Sequence, residues 1–222
     1  MALTVSTLVV PPPTIALAAA SDTGIKGDGI TRLARPSFAG AAPARSSVVV
    51  YADGQLLGTA TANVRGAWSL ATPAARRLTA GAHSIVAYTF SQSPVPSAPT
   101  LIAVTVDPTP PTASLTYDRD NGRAIVTFSE PVSGVRASNL MLSGRTQSGV
   151  TLANVPINDA RARAYVGLIT MTQSPDAKTF TFQQQINLAE PGNFTLSFVK
   201  TGVVDRAGNP PAAGAVTIFT II

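Results

Sequence analysis

The chain has 222 residues, no cysteine and a single histidine, His83, which excludes a disulfide framework, thiolate or multi-histidine metal sites and a cysteine nucleophile. Only 12% of residues are charged against 45% hydrophobic, with 18 Pro and 17 Gly spread as turn residues, a composition too apolar for disorder and pointing to an all-β, non-catalytic protein of extracellular style. The net charge of +5 comes from 13 Arg and 3 Lys against 11 acidic residues, dispersed with no basic stripe and no aromatic ladder, so no nucleic-acid partner is expected.

The first segment, Met1–Ala20, reads MALTVSTLVVPPPTIALAAA and carries no charge. Its small-residue end resembles a signal-peptidase site, but no Lys or Arg opens it and Pro11-Pro12-Pro13 breaks the helix such a signal requires. The same prolines argue against a membrane span, and no membrane insertion is expected. We read residues 1–20 as an extended N-terminal arm. Leu3–Val10 alternates like a strand, which makes Leu3, Val5, Leu8 and Val10 candidate assembly contacts on a sheet edge. That edge belongs either to this chain's own sandwich or to a neighbouring copy or another structural protein.

From residue 21 the periodicity is that of strands between Gly, Pro, Asn and Asp clusters. Strands are expected at Ser47–Ala52, Gln55–Ala60, Ala67–Ala71, His83–Phe90 and Leu101–Val106. Asp53-Gly54 marks a two-residue hairpin, and Arg65-Gly66 is read as serving similarly before Trp68. Val106-Asp107-Pro108-Thr109-Pro110-Pro111-Thr112 reads as a short, stiff linker. Beyond it the strands are Ser114–Tyr117, Ala124–Phe128, Val150–Val155, Tyr165–Gln173, Thr179–Gln183, Asn193–Val199 and Ala215–Ile222, with a hairpin turn at Asn121-Gly122. No stretch holds a capped 3.6-residue period. The spacing predicts an all-β fold of two tandem β-sandwiches, at 21–107 and 108–222, behind the arm.

Between Ser21 and Asp107 the segments SDTGIKGDGIT, VVVYADGQLLGTATANVRGAWSL, LTAGAHSIVAYT and VTVD resemble bacterial Ig-like repeats, found in adhesins and in bacteriophage virion proteins. In the second half VTFSEPVSGV (Val126–Val135), SNLMLSG and the D-x-x-G-N of Asp205–Asn209 resemble a divergent repeat of the same kind. The resemblance implies that the two sandwiches are tandem immunoglobulin-like, non-catalytic modules, without implying a partner. Read from the residues themselves, Trp68 plugs a core or, alternatively, forms a sugar-binding platform. His83 follows a turn and opens a strand as a structural or solvent-facing histidine rather than a ligand or base, and Tyr51 and Tyr88 lie in strands with one face buried.

Catalytic patterns are absent. No G-x-S-x-G surrounds a serine, and the two glutamates, Glu130 and Glu190, each precede a proline at a strand end. The only cofactor worth weighing is calcium on Asp22, Asp28 and Asp107, where the resemblance implies interdomain cations, or on Asp118, Asp120, Asn121 and Asp205. Against it, each Asp serves equally as a cap of its own loop, and Arg32 and Arg35 put positive charge nearby, so no bound cofactor is expected. Arg76, Arg77, Arg161 and Arg163 are the densest basic spots and the remaining candidate assembly contacts, since arginine favours fixed bidentate pairs. The function expected is that of a structural protein of a bacteriophage virion, decorating a capsid or built into a tail and contacting other virion proteins or its own copies. The alternative is a secreted or cell-surface adhesin module, with host surface glycans among its ligands.

Overall fold

The computed structural model describes residues 9–91, 95–166, 168–185 and 191–221. These divide into a first unit ending at Thr109 and a second beginning at Pro110. The N–H of Asp107 donates to Thr31 O within the first unit, and Pro111 O accepts the N–H of Ala212 within the second.

The first unit contains β1 (Ala16–Leu17), β2 (Ile30–Thr31), β3 (Ser37–Ala41), β4 (Ser47–Ala52), β5 (Gln55–Thr61), β6 (Ala67–Ala71), β7 (Gly81–Phe90) and β8 (Thr100–Val106). One sheet is ordered β1-β3-β6 and the other β2-β8-β7-β4-β5; only the β2–β8 pair is parallel. Strand alternation builds the core between them. Phe38 and Trp68 come from the first sheet, and Val48, Val50, Ile85, Ala87 and Val104 from the second. Burying these side chains at about 25 cal/mol per Å² of apolar surface supplies the main drive to fold. Trp68 is 4% exposed, so it is a core plug and not a sugar platform.

The Asp53-Gly54 turn has φ of 51° and 78°, the paired positive values that a two-residue hairpin requires. Arg65-Gly66 behaves differently from the expectation. It carries the chain from β5 in one sheet to β6 in the other, because Asn63 Oδ1 accepts the N–H groups of Arg65 (2.8 Å) and Ala67 (3.1 Å) and closes a loop wider than a hairpin.

The described part of the arm, residues 9–20, lies on its own sandwich. Val10 and Ile15 are buried, Ala16–Leu17 pairs with Phe38 and Ala39, and the N–H of Thr14 donates to Ala41 O at 2.8 Å. Thr100 Oγ1 donates to Pro13 O at 2.6 Å. This approach depends on Gly40, where an added Cβ would sit 1.9 Å from Thr14 O. Leu3, Val5 and Leu8 lie outside the described residues.

The second unit contains β9 (Ala113–Asp118), β10 (Arg123–Phe128), β11 (Val132–Ser133), β12 (Leu140–Thr146), β13 (Thr151–Pro156), the helix α1 (Ala160–Val166), β14 (Leu168–Gln173), β15 (Thr179–Gln185), β16 (Gly192–Phe198), β17 (Val204–Asp205) and β18 (Ala215–Ile221). Sheets ordered β14-β15-β10-β9 and β13-β12-β16-β18 face each other, and β11 pairs with β17. Their core is aromatic. Phe128 meets Phe180 and Phe198 edge-to-face at centroid distances of 5.8 and 5.5 Å, a preferred geometry for ring quadrupoles. The Asn121-Gly122 hairpin closes between β9 and β10, with Asp118 Oδ1 accepting the Asn121 N–H.

Two expectations are corrected here. The strand predicted over Tyr165–Gln173 begins only at Leu168; Tyr165 and Val166 end α1. Asp159 starts that helix, its Oδ1 accepting the Arg161 N–H at 2.9 Å, and the fully buried Ala162 anchors it. Conversely, β3 and β12 were not expected as strands. Each contains glycine, which weakens a strand's local signature, and each is held by pairing on both sides.

Candidate functional site

Of the expected assembly contacts, Arg76, Arg77, Arg161 and Arg163 are all exposed. Arg76 ends a 3-10 turn (Ala74–Arg76), and its Nη1 reaches Gln55 Oε1 at 3.5 Å. Arg76 and Arg77 line a shallow pocket of about 240 Å³ with Asp53 and His83. In the second unit Arg161 and Arg163 stand on α1, with Arg161 Nε 3.1 Å from Asp159 Oδ1. Of the candidates on the arm, Val10 is buried at 6% exposure in the first unit, so it serves packing within the chain rather than a surface contact.

The pocket floor is built around His83. The Asp53-Gly54 hairpin aims the Asp53 carboxylate back at β7, where Oδ1 accepts the Ser84 N–H (2.8 Å) and Oδ2 lies 2.7 Å from His83 Nδ1. The other ring nitrogen, Nε2, lies 2.9 Å from Thr79 O. Both partners are acceptors, so the ring satisfies both only as imidazolium. Burial alone pulls the His83 pKa down, but the Asp53 hydrogen bond, the Thr79 carbonyl and the Asp53 charge together hold it above its ordinary value. The hydrogen bond from His83 and the Ser84 N–H hold Asp53 below the usual carboxylate range, against a smaller desolvation penalty. This pair pins the hairpin to β7. Among the described residues no serine or second carboxylate is hydrogen-bonded to His83, so the arrangement is an ion pair between a buried histidine and an exposed aspartate and not a triad.

The aspartates weighed for calcium mostly cap loops. Asp22 Oδ2 accepts the Gly27 N–H (2.7 Å), Asp28 Oδ1 the Ile30 N–H (2.9 Å) and Asp107 Oδ1 the Thr109 N–H (3.1 Å). Asp22 and Asp28 line one cleft of about 260 Å³, whereas Asp107 is not among its lining residues. Asp22 Oδ1 is buried without a hydrogen-bond partner. Asp118 pairs with Arg123 at 2.6 Å and bonds Asn121, and Asp205 closes its turn on Asn209 through both oxygens at 2.8 Å.

Sequence reasoning missed the outer face of the five-stranded sheet. Tyr51 and Tyr88 project there, edge-to-face at 6.0 Å. Beside them, across the β4, β5, β7 and β8 register, stand Val49, Val86, Leu56 and Leu101, the last two 47% and 64% exposed. The signal was present, since both alternating sets of Val48–Ala52 and Ile85–Phe90 are largely apolar. Periodicity alone does not tell which set faces the core.

An all-β sandwich with loops at both ends and structural ion pairs defines the class: an immunoglobulin-like module. Residues 9–108, which make up most of the first unit, match the bacterial Ig-like domain family. Comparison with curated protein sequences gave no match. Among solved structures, the chain is similar to a tetra-tandem repeat from the extending region of a large adhesion protein (16% identity, TM-score 0.33), aligning over 94% of its own length and about half, 49%, of that chain. It is also similar to a two-domain fibronectin type-III segment of chicken tenascin (15% identity, TM-score 0.29, 95% of this chain and 99% of that one). A third is the set of fibronectin(III)-like modules of Clostridium thermocellum CbhA (12% identity, TM-score 0.36, 91% and 92%). Among the described residues, no helix is long and apolar enough to cross a membrane.

Proposed function

We propose that this protein is a non-catalytic structural module displayed outside the bacterial cell, as a decoration or tail accessory of a bacteriophage virion. The observation that carries this reading is the pair of exposed arginine sites, Arg76/Arg77 on the first unit and Arg161/Arg163 on the second. Arginine is always charged, offers a planar fork of donors and loses less freedom per hydrogen bond than lysine. An excess of 13 Arg over 3 Lys therefore suits fixed contacts with acidic neighbours, such as virion proteins or further copies of the chain. The absence of cysteine is consistent with assembly in a reducing cytoplasm before release. A second reading, a cell-surface adhesin module, is favoured by the bacterial Ig-like domain at residues 9–108.

Charge reversal tests the first reading. Arg76→Glu with Arg77→Glu, and Arg161→Glu with Arg163→Glu, should abolish co-sedimentation of the protein with purified virions while leaving both units folded. Undiminished co-sedimentation removes the arginine sites from assembly. Labelling of cell surfaces instead of virions by an antibody to the protein supports the adhesin reading.

A further inference from the structure

All eleven charged residues between Asp22 and Asp107 lie outside the strands of the first unit. Its two outward sheet faces are therefore both uncharged, yet they differ sharply in size. The β3 and β6 face presents Ala39, Ala41, Ala67, Ser69 and Ala71, small side chains that leave it smooth. The face over β4 and β7 presents aromatic rings instead. Tyr51, Val86, Tyr88, Phe90 and Pro96, with Gly54 at one end, line an open hollow of about 480 Å³. Two hydrogen bonds, Ser97 N–H to Thr89 O and Thr89 N–H to Ser97 Oγ, both 2.9 Å, hold the chain carrying Pro96 against β7. The hollow is thus part of the sheet's outer face.

From this geometry we infer that the outer face of the five-stranded sheet is a binding site for a neutral glycan, seated on Tyr51, Tyr88 and Phe90. Three features select that chemistry. The volume falls within the range of small-ligand clefts. The half-buried tyrosines stand at 89° to each other, so an apolar C–H face of a sugar ring stacks on one ring while the other closes its side. Neither phenol oxygen makes a hydrogen bond among the described residues, and both remain available to sugar hydroxyls. Ser47, Thr59 and Ser84 lie on the same sheet face and add hydroxyl groups to it. With no charged side chain on the outward face of these strands, nothing in the site rewards an anionic ligand, and a charged one loses solvation without a partner. The site is separate from the arginine pairs and does not depend on whether the module is carried by a virion or a cell.

The test is affinity electrophoresis of the full chain through gels holding starch, galactomannan or mixed-linkage β-glucan, with anionic alginate as the counterpart. Retardation by at least one neutral polysaccharide and not by alginate is the expected result. Tyr51→Ala and Tyr88→Ala should each weaken it roughly tenfold, the loss of about one ring contact, with the Trp68 fluorescence melt unchanged. The double variant Tyr51→Phe/Tyr88→Phe, which keeps the rings and removes only the hydroxyls, should weaken it severalfold and guards against an alanine variant that fails to fold. No retardation by any neutral gel, retardation by alginate alone, or binding indifferent to all these variants overturns the inference. So does sedimentation showing that the chain self-associates and that the tyrosine variants abolish it, because the face is then an interface between copies.

Discussion

At the scale of single residues, His83 links the fold to pH. Its raised pKa means that the imidazolium contributes its full share of stability below the unfolded value of about 6.5, and that this share is lost as pH rises through the folded value. Asp53 runs the other way: its contribution is present above about pH 4 and is lost as pH falls through its depressed value. The pair is therefore strongest between about pH 4 and 6.5. Replacing His83 with Gln should lower the melting temperature of the first unit most near pH 5, with the difference shrinking towards pH 9. A difference that grows with pH would mean that the ring is held neutral. The sequence reads His83 as a structural or solvent-facing histidine at the start of a strand; it is the third residue of β7 and buried. Its partner was not legible, because Asp53 precedes it by 30 positions and only the pairing of β4 with β7 brings the two together.

At the scale of elements, the segment before the first sandwich gains its role from one glycine. Thr14 crosses Gly40 so closely that any side chain there would displace it, while Ile15 points into the core at 8% exposure. Ile15→Ala should cost the first unit about 2–4 kcal/mol, the loss of buried methyl groups plus a cavity. Gly40→Ala should lower its melting temperature too, by expelling β1. Denaturant titration followed by Trp68 fluorescence measures both; an unchanged midpoint for Ile15→Ala would show that β1 contributes nothing to the sandwich. The long strands with strong alternation, β4, β7, β10 and β15, were legible because their β-branched and aromatic residues carry a clear period. The helix α1 was not, because its stability rests on the Asp159 cap and the burial of Ala162 rather than on a repeating apolar stripe.

At the scale of the whole molecule, two hydrophobic cores are built from separate stretches of chain. One clusters around Phe38 and Trp68, the other around five phenylalanines. Trp68 is the only tryptophan, so its fluorescence reports the first unit alone while far-ultraviolet circular dichroism reports both. Thermal or denaturant unfolding should then show two transitions, only one of them seen by fluorescence, and Phe128→Ala should shift only the other. Coincident transitions by both probes, moving together in that variant, would show that the cores unfold as one.

The amino-acid sequence by itself determined the all-β class, the strands with strong alternation, the Asp53-Gly54 turn and the kind of repeat that the first unit resembles. These rest on local chemistry: side-chain period, positive φ at Asp-Gly, and the spacing of turn residues. Only the tertiary structure decided which face of β4 and β7 turns outward, that the Arg65-Gly66 loop passes between sheets, and that residues 14–17 close their own sandwich. Each of these depends on contacts between segments distant in the chain. For a strand that is apolar on both faces, the burial of one side is settled by what packs against it and not by its own residues.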